Sequence, residues 1–142
     1  MYMAQPTASR VFVNGVETAF EAFRIRDNNF FRLRDLAYAL NGTEKQFEVG
    51  FDSVTGVITL TTGLPYTAIG TEMNPGQGVA RRALPTPSEI YIDGGRLDFT
   101  VYNIEGSNFF RLRDLMSVLD VGVTFDAVTQ NIGIDTSLPY TD

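Results

Sequence analysis

The chain contains one octapeptide twice, and this duplication constrains the fold more than any other feature of the sequence. Asn-Phe-Phe-Arg-Leu-Arg-Asp-Leu occupies residues 29–36 and returns unchanged at residues 108–115. A repeat of this length indicates that one small structural unit is used twice within the 142 residues. Because duplication suits scaffolds, spacers and binding arrays better than catalysts, a single unique active site is not expected.

The similarity extends on both sides of the octapeptide and marks the ends of the two units. Val-Phe-Val-Asn-Gly at residues 11–15 aligns with Ile-Tyr-Ile-Asp-Gly at 90–94, and Leu-Pro-Tyr-Thr at 64–67 recurs at 138–141. The second copy is shorter after the octapeptide, where a surface loop tolerates deletion. The sequence therefore predicts three segments: a first module at residues 1–67, a Gly/Pro-rich linker at 68–88 and a second module at 89–142.

Hydrophobic periodicity predicts the same order of elements in both modules. An Asn-Gly or Asp-Gly pair between apolar strands favours a tight β-hairpin, and such pairs stand at residues 14–15 and 93–94. Leu33, Leu36 and Leu40 have the spacing of one face of an α-helix. The predicted fold class is α+β, a tandem repeat of a small module with antiparallel β-hairpins and one α-helix, in the order β-β-β-α-β-β. The two modules are expected to pack on each other or on the linker, sharing some apolar surface.

Composition excludes several classes of function. The net charge of −6 opposes binding to a phosphate backbone, so no nucleic-acid partner is expected. No apolar run approaches the roughly 20 residues of a membrane span, and the first residues lack the features of a signal peptide. The chain has no histidine and no cysteine, which removes the commonest general base and the commonest transition-metal ligands. No cofactor or metal is therefore expected.

The repeated charged pairs are the first candidate site. Arg34 and Asp35 in the first copy match Arg113 and Asp114 in the second. They are interpreted either as a clamp for an anion or carboxylate, or as structural ion pairs that fix the start of each helix. The spacing of Arg32 and Asp35 also suits an i,i+3 pair on a helix, so the structural interpretation is favoured.

Repeated aromatic residues form a second candidate group. Adjacent residues of a strand point to opposite faces, so at least one of each Phe pair should be buried rather than form a binding platform. Tyrosines could stack on sugars, but Tyr38 is replaced by Ser117 in the second copy, and a Leu-Pro pair precedes two others, which favours packing at the module edges. The residues concerned are Phe30, Phe31, Phe109, Phe110, Tyr38, Tyr66, Tyr102 and Tyr140.

The remaining polar candidates are scattered. No spacing among the aspartates selects a pair for glycoside hydrolysis, and the turn positions of Asp52 and Asp126 favour a role in capping the backbone. Lys45 is the only lysine, so a Ser-Lys dyad would have to use it. Arg81 and Arg82 are interpreted as an exposed basic pair rather than a protease-sensitive point. The other aspartates considered are Asp27, Asp93, Asp98 and Asp135.

The combined motif resembles a known family. A strand, an Asn-Gly or Asp-Gly turn, the octapeptide and a closing Phe-Asp hairpin together resemble the copper amine oxidase N-terminal-like domain, also called a stalk domain, over residues 10–67 and 89–142. The resemblance implies a non-catalytic accessory module of exported or cell-envelope proteins of Gram-positive bacteria, where such domains occur in tandem. The family's oxidase site lies in a separate domain with three histidine copper ligands and a tyrosine-derived quinone, and this chain has no histidine.

Three functions are consistent with the sequence. The leading hypothesis is a non-enzymatic extracellular or wall-associated spacer or adhesive unit, more often monomeric than oligomeric, that contacts cell-wall glycan or another protein. The second is a carbohydrate-processing enzyme fragment that uses two carboxylates. The third is a regulatory domain of a separate catalytic partner.

Overall fold

A computed structural model describes residues 2–142 of the chain. The first half forms short strands joined by tight turns, and its one helix begins within the octapeptide. Its elements are β1 (Tyr2–Pro6), β2 (Val11–Val13), β3 (Val16–Glu17), β4 (Ala22–Ile25), β5 (Asn28–Arg32), α1 (Leu33–Leu40), β6 (Phe47–Phe51) and β7 (Ile58–Thr62).

The second half has the same order of elements. Its elements are β8 (Arg81–Pro85), β9 (Ile90–Ile92), β10 (Gly95–Leu97), β11 (Val101–Ile104), β12 (Ser107–Arg111), α2 (Leu112–Leu119), β13 (Gly122–Phe125) and β14 (Ile132–Asp135). The α+β class is therefore confirmed, with two helices and a predominance of strands among residues 2–142.

Local signals account for most of these elements. Asn14 and Gly15 between β2 and β3 both have positive φ, as do Asp93 and Gly94 in the second half, which is the backbone of a two-residue hairpin turn. Between β4 and β5 the chain turns at Arg26 and Asp27, where both residues also have positive φ.

The helices follow the predicted apolar stripe. Leu33, Leu36 and Leu40 are buried, and so are the matching positions of α2. Helix α1 ends at Leu40 before Asn41, and Gly42 follows with φ +84°. Helix α2 ends at Leu119, and Asp120 follows in the left-handed conformation. An aspartate tolerates this conformation better than most residues, so the second copy stops its helix without glycine.

Six strands close into a barrel in the order β1-β4-β5-β12-β11-β8, and neighbouring strands are antiparallel. Strand β8 (Arg81–Pro85) lies within the segment 68–88 that the sequence suggested was a linker, and it forms a full barrel strand. The two halves meet where β5 pairs with β12 and where β1 pairs with β8.

The two remaining sheets combine strands from opposite halves. One has the order β10-β9-β7-β6 and the other β13-β14-β2-β3. In each, the closing hairpin of one half lies beside the opening hairpin of the other, through the parallel pairs β7 with β9 and β14 with β2. The hydrogen-bonded sheets thus do not follow the division into residues 1–67 and 89–142.

The octapeptide strands separate two apolar cores. Phe30 and Phe109 belong to the cluster formed by barrel strands, together with Ala4, Ala83 and Tyr102. Phe31 and Phe110 face the larger core that contains the helices and both mixed sheets. All four phenylalanines are buried, which confirms the prediction that at least one of each pair belongs to the core.

Candidate functional site

A cleft of about 410 Å³ opens beside the start of α1, and we call it cleft one. Its walls come from the first turn of α1, the end of β6, residues 69–72 of the linker and the β11–β12 turn of the other half. Because octapeptide residues Arg32, Arg34 and Asp35 line it, cleft one contains the first charged pair that the sequence singled out.

Asp35 is a buried anchor in cleft one. Its side chain has no exposed surface, and Arg32 Nη1 donates to its Oδ2 at 3.2 Å. The backbone N–H of Met73 donates to Asp35 Oδ1 at 2.9 Å, which ties the linker to the helix. Burial raises the pKa of the Asp35 carboxyl, against the opposing effects of Met73 and Arg32. Arg32 also pairs with Glu21, so it is held between two acids.

Arg34 is held by the linker through a tyrosine. Arg34 Nη1 donates to the Tyr66 hydroxyl oxygen at 3.1 Å, and the same hydroxyl donates to Glu72 Oε2. Backbone N–H groups of Ile69 and Gly70 also donate to the Glu72 carboxylate, at 2.8 and 3.0 Å.

The hydrogen bonds that link Arg34, Tyr66 and Glu72 shift the pKa values of the tyrosine and the glutamate. Burial and the bond to Glu72 raise the pKa of Tyr66 to about 12. Burial opposes ionisation of Glu72, but its hydrogen bonds from Tyr66 and the linker backbone outweigh that and lower its pKa to about 2. Both groups are thus fixed near pH 7 as a neutral hydroxyl and a carboxylate.

A second cleft, of about 270 Å³, occupies the related position beside the start of α2, and we call it cleft two. Arg24, Arg111 and Arg113 line it with Asp27 and Phe125. Arg111 Nη2 donates to Asp114 Oδ1 at 2.6 Å, and Arg24 lies 3.5 Å from Asp27. Arg113 of the second predicted charged pair therefore also lines a cleft, whereas Asp114 bonds to Arg111 and not to Arg113.

The tyrosines divide into exposed and packed positions. Tyr38 is half exposed on the outer face of α1, as its position off the apolar stripe predicts. Tyr66 and Tyr102 are buried, and Tyr140 packs against the larger core. The packing predicted for Tyr66 and Tyr140 is confirmed, and neither presents an open face for a sugar.

Most of the predicted aspartates act in turns. Asp52 Oδ1 accepts from the N–H groups of Val54 and Thr55, and Asp126 makes the matching bonds in the second half. These backbone donors lower the pKa of both carboxyls. The others do not gather into one cluster: Asp27 and Asp93 stand at hairpin turns, Asp135 accepts from Ser137, and Asp98 is exposed.

The basic candidates lie apart from both clefts. Lys45 Nζ is 3.8 Å from Asp120 Oδ2 across the two halves, so it serves as an ion-pair partner there. Arg81 and Arg82 lie in barrel strand β8, and Arg81 pairs with Glu105 at 3.0 Å. The backbone bonds of a barrel strand oppose proteolysis at this pair, whereas Arg82 is exposed as predicted.

Three residues that shape the clefts were not among the candidates that the sequence identified. Glu21, Glu72 and Arg24 lie outside the octapeptide, and the second copy has Thr100 and Asn103 at the positions that match Glu21 and Arg24. The differences at Glu21 and Arg24 could have identified these residues, because positions at which the two copies differ are positions at which their surroundings can differ.

No group of three or more His, Cys, Asp or Glu side chains in residues 2–142 is placed to hold a metal ion. Within the same described part of the chain, neither helix has the length and apolar character to cross a membrane.

Comparison with protein-family models, with curated proteins and with solved structures finds no match to this chain.

Proposed function

We propose that the chain is a non-catalytic, rigid binding or spacer unit of an extracytoplasmic protein, built from two copies of one module. The proposal draws on the duplicated octapeptide and on its resemblance to stalk domains of Gram-positive cell-surface and secreted proteins. In this role the protein is a monomer that contacts cell-wall glycan or another protein and uses no cofactor.

The exchange of strands between the halves is the observation that carries this proposal. Strand β1 pairs with β8, β2 with β14, β5 with β12 and β7 with β9, so four ladders join the halves. Two domains on a flexible linker would change their separation, whereas halves joined by four ladders cannot hinge without breaking backbone hydrogen bonds. Such a unit suits a spacer that presents a surface at a fixed position.

The enzyme alternative needs two carboxylates that can reach a substrate. Asp35 and Glu72 both line cleft one, and the raised pKa of one beside the lowered pKa of the other is a pattern found in hydrolases. However, Asp35 is fully buried, and both oxygens of each carboxylate already accept hydrogen bonds from the protein. Because these oxygens already accept hydrogen bonds within the protein, the binding role is favoured over the enzyme role.

Co-sedimentation with purified Gram-positive cell walls tests the proposal, with walls used before and after removal of their anionic polymers. Saturable binding would support a wall-contacting unit, and loss of binding after stripping would identify the anionic polymers as the ligand. Absence of binding to both preparations would leave the passive spacer, for which the rigid pairing of the halves is sufficient. A reproducible hydrolytic or redox activity of the purified chain would overturn the proposal.

A further inference from the structure

The two clefts occupy matching places in the repeat but differ in electrostatic character: acids and arginines are equal in number in the lining of cleft one, and arginines predominate in cleft two. In cleft one, Arg32 pairs with both Glu21 and Asp35, and Arg34 is bonded to Tyr66, which in turn bonds to Glu72. Two acids therefore hold Arg32, whereas Arg34 is bonded to a neutral hydroxyl that itself donates to Glu72.

Cleft two differs at each of these points. Thr100 stands at the position that matches Glu21. Arg111 therefore has one acidic partner, Asp114, whereas Arg32 has two. Arg24 stands where cleft one has Asn103, which adds a third guanidinium. Neither Arg113 nor the matching Arg34 has a carboxylate within ion-pair distance in residues 2–142. Arg113 is nevertheless exposed, whereas Arg34 is partly buried and bonded to Tyr66.

The remaining features of cleft two also suit an anion. Arg111 Nε is buried without a hydrogen-bond partner among the described residues, as is the matching Arg32 Nε of cleft one. Helix α2 begins at the cleft with no side-chain cap, so the N–H groups of its first turn add positive potential there. Phe125, which is 44% exposed, gives the cleft an apolar wall beside these donors.

We propose that cleft two binds an oxyanion, a phosphate or carboxylate group carried on a sugar, which Arg24, Arg111 and Arg113 hold between them. A guanidinium offers paired N–H donors that match the oxygens of both groups. Three arginines against one lining acid make this a local positive site in a chain whose net charge is −6. This inference rests on the proposed function, because it names the ligand class through which a binding unit would act.

Calorimetric titration of the whole chain with inorganic phosphate, glucuronate and glucose tests the proposal. Phosphate or glucuronate should bind with one-to-one stoichiometry, and the affinities of the two identify which group supplies the oxyanion. Neutral glucose should not bind measurably. If neither phosphate nor glucuronate binds the wild-type chain, the proposal is wrong.

Three variants assign the binding to this cleft. Arg113→Gln removes the unpaired guanidinium and should weaken binding roughly tenfold or more, since hydrogen bonds to charged groups contribute strongly. Arg24→Asn copies the residue of cleft one and should weaken binding in the same direction. Arg82→Gln removes the same charge from an exposed position in β8 and should leave affinity unchanged. An equal loss in Arg82→Gln and Arg113→Gln would show a general charge effect and overturn the proposal.

Wall co-sedimentation of wild type and Arg113→Gln separates this inference from the proposed function. Wall binding by a chain that binds no free oxyanion would refute the inference and leave the binding role intact. Oxyanion binding together with hydrolysis of a glycan would support the inference and refute the non-catalytic role. Wall binding that Arg113→Gln reduces in parallel with its oxyanion affinity would support both.

Discussion

Asn14 and Thr136, from opposite ends of the chain, are joined by hydrogen bonds in both directions. Asn14 Nδ2 donates to Thr136 Oγ1 at 3.0 Å, and the Thr136 backbone N–H donates to Asn14 Oδ1 at 2.9 Å. The other mixed sheet has the matching pair, where the N–H and hydroxyl of Thr62 donate to Asp93. Each mixed sheet is thus fastened by a hairpin-turn side chain from one half and a threonine from the other.

Asn14→Ala should lower the free energy of unfolding by about 1–3 kcal/mol, because Thr136 is buried and would lose its partners. The left-handed backbone at Asn14 adds to this cost in alanine. Asn14→Asp keeps the acceptor oxygen and the turn preference, so it should lose less. Urea denaturation of the three proteins measures the difference, and equal stability of the alanine and aspartate variants would contradict the expectation.

Leu36→Asp should unfold both halves of the chain. Leu36 has no exposed surface, and an unpaired buried carboxylate is too costly for the core to retain. Because the barrel and both mixed sheets combine the two halves, residues 89–142 should lose their structure with residues 1–67. The measurement is the dispersion of backbone amide signals by NMR.

Tyr38→Asp provides the matched control for Leu36→Asp on the same helix. Tyr38 is half exposed, so this variant should keep the wild-type spectrum. Dispersed signals from residues 89–142 in Leu36→Asp would mean that the second half folds without the first.

Phe109→Ala should cost about 3–5 kcal/mol of stability by opening a cavity within the barrel. The Phe109 ring lies 5.4 Å from that of Phe23, and the Arg32 guanidinium stands 5.5 Å from its centroid. Phe125→Ala removes the same side chain from a position that is 44% exposed, and should change stability far less. Thermal denaturation followed by circular dichroism compares them, and similar losses would show that the barrel interior is misassigned.

Glu72→Gln should reduce the loss in free energy of unfolding that occurs as the pH falls. The folded-state pKa of Glu72, about 2, lies below its ordinary value of 4.5, so this group stabilises the fold above pH 4.5. That contribution is lost as the pH falls from about 4.5 to about 2. Asp35 acts in the opposite sense, because its raised pKa favours the folded state at low pH and opposes it as the pH rises through that value.

Urea denaturation between pH 2 and pH 6 tests this expectation. The wild type should lose more stability across the acid range than Glu72→Gln does. Glu44→Gln, at an exposed position, serves as the control and should follow the wild-type profile. Parallel profiles for wild type and Glu72→Gln would show that the Glu72 carboxylate does not contribute to the loss of stability in acid.

Local sequence patterns identified the elements that depend on neighbouring residues. The stripe of Leu33, Leu36 and Leu40 and the turn at Asn14 and Gly15 are short-range signals, and they placed the helices and hairpins correctly. Strand β8 was missed because Ala83 is its only buried residue, so its sequence lacks the alternation that marks a strand. Which copy's hairpin completes which sheet is a long-range choice, and two copies with the same pattern of elements carry no local signal for it.

The clefts show the same limit. The octapeptide identified Arg34, Asp35, Arg113 and Asp114, and each lies at or beside a cleft. Whether a cleft is neutral or positive depends on residues from distant segments, such as Glu72 of the linker and Arg24 of β4. Periodicity within one element cannot bring those residues together, since their meeting depends on the path of the chain.

The parallel pairing of β2 with β14 also governs the order in which this protein can assemble. Val11 lies opposite Ile132, so the β2–β3 hairpin cannot complete its sheet until β14 has been synthesised. During synthesis the amino-terminal half would expose the unpaired edge of β2 until Ile132–Asp135 is available. Topologies with such distant contacts fold slowly, and their nascent chains are vulnerable to aggregation. Reversal of that assembly must break the same distant ladders together, so spontaneous opening of the finished protein should be rare.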